Sequence, residues 1–60
     1  MNDQLPQDKM MLLSVINTKL RDQYSDLDAL CDDLGVDREE ITQALGSIGY
    51  EYNPGLNRFC

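Results

Sequence analysis

The sequence predicts a mainly α fold in which three short helices, the second and third in a helix-turn-helix arrangement, are closed by a C-terminal β-hairpin. Three observations predict it. Apolar residues recur at helical spacing in three separate blocks, and capping residues and glycines punctuate the gaps between them. The last eleven residues, YEYNPGLNRFC, alternate apolar and polar positions around a Pro-Gly turn.

Helix one is predicted over about residues 8–22. Pro6 approaches it and Asp8 caps it, while Leu12, Leu13, Ile16 and Leu20 fall in one arc wide enough to face a core. Met11 and Val15, four apart and with Met10 at their edge, form a second, narrower apolar strip. Helix two is predicted over about 26–34, opened by a Ser25/Asp28 capping box, with Leu27, Leu30, Cys31 and Leu34 on one side and Gly35 as the left-handed stop. Asp37 with Glu40 opens helix three over about 38–48. Ile41, Ala44, Leu45 and Ile48 give its buried face, and Gly49 ends it. Val36, in the tight joint Gly35-Val36-Asp37, should plug between the two helices.

The hairpin is predicted over about 50–60 with a four-residue loop, Asn53-Pro54-Gly55-Leu56, that pairs Tyr50 with Phe59 and Glu51 with Arg58. An isolated hairpin is marginal in water, so its aromatic face should dock on the helices, with the Met11 and Val15 strip as the proposed seat. Asn17, at the rim of the core face, has two roles open to it: a local bond, or a tie to the chain after helix two or to the hairpin.

Sixty residues make one domain, residues 1–60, too small to enclose a deep enzyme cleft. Eleven Asp and Glu against five Lys and Arg, with no His, give a net charge of −6, which repels nucleic acid and anionic membranes. That charge either keeps the protein soluble or marks a basic partner. The longest apolar run, Met10 to Leu13, is far short of a membrane span, and the acidic start does not read as a secretory signal. The expected compartment is the cytoplasm. Cys31 and Cys60 are too few and too far apart for a disulfide framework; Cys31 reads as core, and Cys60 as an inert thiol.

Catalysis finds little to stand on: there is no His, no phosphate-cradling glycine loop and no G-x-S-x-G. No cofactor or metal site is expected, since the acidic residues lack the EF-hand spacing. The chain reads as a non-enzyme. Two surfaces are candidates for a partner: the Met11 and Val15 strip, which is either satellite core or an interface, and the acidic face of helix two. On that face Asp28 and Asp32 sit four apart, and Asp32 and Asp33 lie near the helix C-terminus, where the dipole disfavours anions. A basic protein and a second copy of the chain are the two partners these surfaces suggest.

The order helix, helix, helix, hairpin resembles a minimal winged helix, and that resemblance implies nucleic-acid binding only by analogy. The residues for it would be Arg38, Thr42 and Gln43 on helix three and Arg58 in the wing, and they supply little positive charge. A second resemblance runs nearly end to end. MLLSVINTKLRD (Met11 to Asp22), LDALCDDL (Leu27 to Leu34) and IGYEY (Ile48 to Tyr52), with Asn57 and Phe59, are similar to the small bacterial family called domain of unknown function 4250. That resemblance implies a stand-alone bacterial protein of about this length and carries over no activity, ligand or site residue. The function read from the sequence is therefore a non-enzymatic protein-interaction module, with a winged-helix-like nucleic-acid binder as the alternative.

Overall fold

The computed structural model describes residues 5–60, so the first four residues of the predicted domain lie outside the described residues. The elements follow in the order α1 (Lys9–Asp22), α2 (Leu27–Leu34), α3 (Arg38–Gly46), β1 (Tyr52–Asn53) and β2 (Arg58–Phe59). The fold is mainly α, with a short antiparallel hairpin at its C-terminal end.

Each helix begins on an aspartate whose carboxylate accepts from otherwise unpaired amides of the first turn. Asp8 takes the N–H groups of Met10 and Met11 at 2.9 and 3.3 Å. Asp37 takes that of Glu39 at 3.0 Å. The cap of α2 is Asp26, bonded to the Ala29 amide at 2.7 Å, and not Ser25 as its spacing to Asp28 suggested. Moving the cap by one residue puts Ala29 at the third helical position, where no side chain can reach back. Asp28 is thereby left to bond Arg38 at 3.1 Å.

Gly35 and Gly49 end α2 and α3 in the same way. Gly35 has φ +70°, its N–H donates to the Asp32 carbonyl at 3.4 Å, and the Val36 N–H donates to the Cys31 carbonyl at 3.0 Å. Gly49 has φ +89°, with Gly49 N–H to the Gly46 carbonyl and Tyr50 N–H to the Leu45 carbonyl, both at 3.0 Å. This double bond across a left-handed residue satisfies carbonyls the helix would leave open. It also shortens α3. The regular helix stops at Gly46, two residues before the predicted end, because the chain tightens through the Ile48 N–H to Leu45 carbonyl bond (3.2 Å) before turning at Gly49.

The hairpin register differs from the expected one. Tyr52 faces Phe59 and Asn53 faces Arg58, while Glu51 and Cys60 exchange two backbone bonds at 3.2 and 3.0 Å. Two asparagines cause the shift. Asn53 closes the turn with both its carbonyl (3.2 Å) and its side-chain oxygen (3.1 Å), each accepting from the Leu56 amide. Asn57 has φ +55°, so it forms the pivot after the turn and cannot pair as a strand residue. The pairing slides by two positions, which keeps each side chain on its expected face. Tyr52 therefore stacks obliquely on Phe59, with ring centroids 5.5 Å apart, in place of Tyr50.

One core joins the three helices and β2: Leu12, Ile16 and Leu20 of α1, Leu27, Leu30 and Cys31 of α2, Ile41 and Leu45 of α3, and Phe59 of β2. Leu13, Leu34, Val36, Ala44 and Ile48 pack half-buried around it. Val36, in the α2–α3 joint, is one of these half-buried residues. Polar side chains then fasten the hairpin. The Asn17 amide donates to the Phe59 carbonyl (3.1 Å) and accepts from the Phe59 N–H (2.8 Å), occupying the free backbone edge of β2 as a third strand would. Asn57 donates to the Leu20 and Tyr24 carbonyls at 2.9 and 3.1 Å, covering the end of α1. It also accepts from the Tyr52 hydroxyl at 2.7 Å, and that hydroxyl accepts from the Leu27 N–H at 3.3 Å.

Candidate interaction surface

The hairpin does not lie over the Met11 and Val15 strip. Tied to Asn17, it meets the opposite flank of α1, the side of Leu13, Asn17 and Leu20. Met11 is left 59% exposed and Val15 half-buried and outside the core. A groove of about 740 Å³ runs between α1 and the hairpin turn. Met10 and Leu13 line it from the helix, Leu56 from the turn, and Ser14, Asn17 and Thr18 lie along its polar side. Arg21 and Arg58 stand on its walls. Met10 is 55% exposed and Leu56 58%, so two of the three most open large apolar side chains among the described residues line this groove, and Met11 is outside its lining.

The excess of acids lies elsewhere in the chain. Residues 26–40 hold seven acids and one base, which equals the whole net charge of −6, and the rest of the chain holds four of each. Arg21 pairs with its neighbour Asp22 through Nε (2.9 Å) and Nη2 (3.1 Å). That bond, followed by the charge attraction, raises the Arg21 pKa, and the same bond lowers that of Asp22. Both side chains are largely exposed, so the pair is a weak one that solvent or a ligand can exchange.

The acidic face of α2 is partly spoken for within the domain. Asp28 holds Arg38 at 3.1 Å, and Asp33 accepts from the Tyr24 hydroxyl at 2.5 Å, which raises the tyrosine pKa. An anion at the dipole-disfavoured end of α2 thus has a local purpose at Asp33, while Asp32 stays exposed with no side-chain partner among the described residues. The nucleic-acid candidates are divided. Arg38, Thr42 and Gln43 line a shallow depression on α3 together with Glu39, whereas Arg58 belongs to the other groove. Arg38 is drawn to Asp28 and lies 6.0 Å from the Tyr52 ring centre, and Thr42 turns its hydroxyl to the Arg38 carbonyl at 2.9 Å.

Cys31 is buried, and desolvation, followed by the charge of Asp28, raises its pKa. It stays a neutral core group. Among the described residues, no three His, Cys, Asp or Glu side chains come together to hold a metal ion, and no helix is long and apolar enough to cross a membrane.

Sequence reasoning overlooked Leu56, Arg21, Ser14 and Thr18. Met10, Ser14, Asn17 and Arg21 follow helical spacing, but as a mostly polar stripe they are invisible to a search for apolar periodicity. Leu56 did carry a signal, being a bulky apolar residue inside a turn.

The family model for a domain of unknown function, DUF4250, matches residues 6–59, which span every helix and both strands. The chain belongs to the DUF4250 family. Within this DUF4250 domain the matched span includes all the groove residues. No curated protein and no solved structure matches the chain.

Proposed function

We propose that the protein is a non-enzymatic protein-interaction module whose partner-facing surface is the groove between α1 and the hairpin turn. The observation that carries this reading is the meeting of Met10 and Leu56, each more than half exposed, in one groove of a small domain most of whose other described large apolar side chains pack inward. The lack of His in the sequence and the burial of Cys31, which raises its pKa, support the non-enzymatic part of this reading. Two free thiols suit a reducing compartment such as the cytoplasm.

Nucleic-acid binding through α3 is the weaker reading. Its one base, Arg38, stands beside Asp28 and Glu39, so a phosphate would meet more negative than positive charge.

Site-specific photo-crosslinking in the native cells tests the proposal. A photoreactive residue at position 10, 14 or 56 should trap a protein partner, while one at 32 or 43 should not. Adducts confined to 32 and 43, or equal at all positions, would contradict it.

A further inference from the structure

We infer that the groove takes a partner segment in which a bulky apolar side chain stands next to a carboxylate. This rests on the interaction reading above and names the chemistry of the partner. Met10, Leu13 and Leu56 offer an apolar seat from both walls, and Arg21 and Arg58 bring two guanidinium groups to the same groove. Two of the five cations of a chain with net charge −6 thus border one apolar site, and the acids that set that net charge lie in residues 26–40, away from it.

The chemistry of the walls selects among partners. Guanidinium groups prefer planar carboxylates or phosphates, which they grip with paired hydrogen bonds. Asp22 already shows this preference within the domain, taking Nε and Nη2 of Arg21 and leaving Nη1 outside that pair. An incoming carboxylate can share the exposed guanidinium or displace Asp22 from it. A phosphate chain fits less well. It would stay hydrated against Met10, Leu13 and Leu56, and the described groove residues include no aromatic ring on which a base could stack. A basic segment would meet two like charges. Asn17 is held in place by Phe59, which takes one of its two N–H donors and one lone pair of its amide oxygen. The hydroxyls of Ser14 and Thr18 remain as the polar partners for a ligand backbone.

The test is a titration of the full chain, ¹⁵N-labelled, with two capped twelve-residue peptides, one of repeating Leu-Glu-Phe-Glu and one of repeating Leu-Lys-Phe-Lys. The glutamate peptide should shift the amides of Ser14, Thr18, Leu56 and Arg58. Arg58→Glu should weaken its binding by about tenfold, the scale of one charge-assisted contact. Leu56→Ser should weaken it too, and both side chains are exposed, so the spectra of both variants should otherwise match the parent. Raised salt should lower the affinity. Equal or tighter binding of the lysine peptide in the groove would overturn the carboxylate assignment while leaving the interaction reading intact. Shifts confined to α2 and α3, groove shifts produced by a duplex DNA, or no groove shift at millimolar peptide would also overturn it.

Discussion

Asn17→Ala removes the side chain that bonds the Phe59 backbone in both directions, and its cost can be worked from the structure. Two hydrogen bonds are lost, each contributing about 1 kcal/mol net. They strand the N–H and C=O of a residue that is 2% exposed, and a buried unpaired group costs about 1–3 kcal/mol where water cannot replace the partner. Alanine returns up to about 0.7 kcal/mol through its better helix propensity. The expected net destabilisation is about 1.5–3 kcal/mol, or a fall in Tm of about 6–24 °C for a domain of this size. Urea unfolding followed by far-ultraviolet circular dichroism reads it directly. A loss below about 0.5 kcal/mol, the size of an ordinary surface substitution, would refute the claim that Asn17 fastens the hairpin. Asn17→Asp sharpens the test. It keeps the acceptor for the Phe59 N–H but turns a carboxylate toward the Phe59 carbonyl, so part of its cost should be recovered as the pH falls and the carboxyl gains a proton to donate.

Asn57→Ala should cost about 3–4 kcal/mol, since it loses three hydrogen bonds and, with them, the polar side chain that lets asparagine tolerate φ +55° better than alanine does. Asn57→Gly should cost about 1 kcal/mol less, because it relieves the backbone and loses only the bonds. Equal losses would mean the left-handed conformation carries no penalty. The Tyr24 phenol should titrate above the ordinary tyrosine range because its proton is held by Asp33, and Asp33→Asn should bring it back down. With the folded pKa raised, that bond stabilises the fold fully below the unfolded tyrosine pKa, and its contribution is lost as pH rises through the folded value. Absorbance titration checks both statements. Under native conditions a thiol reagent should label Cys60 quickly and Cys31 only at the rate of opening, because Cys31 is buried with a raised pKa and Cys60 is exposed. Equal labelling rates would place Cys31 outside the core.

What was legible in the sequence is what depends on neighbours a few residues away. The stripe Leu12, Ile16, Leu20, the caps Asp8 and Asp37, and the stops Gly35 and Gly49 follow from helical spacing and from the conformations each residue tolerates. The cap of α2 was misplaced because Ser25 and Asp26 are both good caps, and the pull of Arg38 on Asp28 comes from another helix. The strand register depended on Asn57. Pro54 and Gly55 mark the turn plainly, but the left-handed residue is the one two places beyond Gly55, and its side chain is committed to α1. The family was legible from the order of its blocks. The groove was not. It unites Met10 and Arg21, three helical turns apart, with Leu56 and Arg58 from the far end of the chain, and that meeting is set by the Asn17 and Asn57 ties. The Met11 and Val15 strip was expected to seat the hairpin, but which flank of α1 the hairpin would choose rested on those same polar ties.

The most direct test of the central claim places a photoreactive residue at position 14 and compares the parent chain with Leu56→Asp in cells. Leu56 is 58% exposed, so the substitution should leave stability within about 0.5 kcal/mol of the parent. The account predicts that the folded variant loses the partner adduct, because a charge would stand in the apolar seat and oppose an acidic segment. An adduct at position 14 that persists undiminished in the folded variant would contradict it.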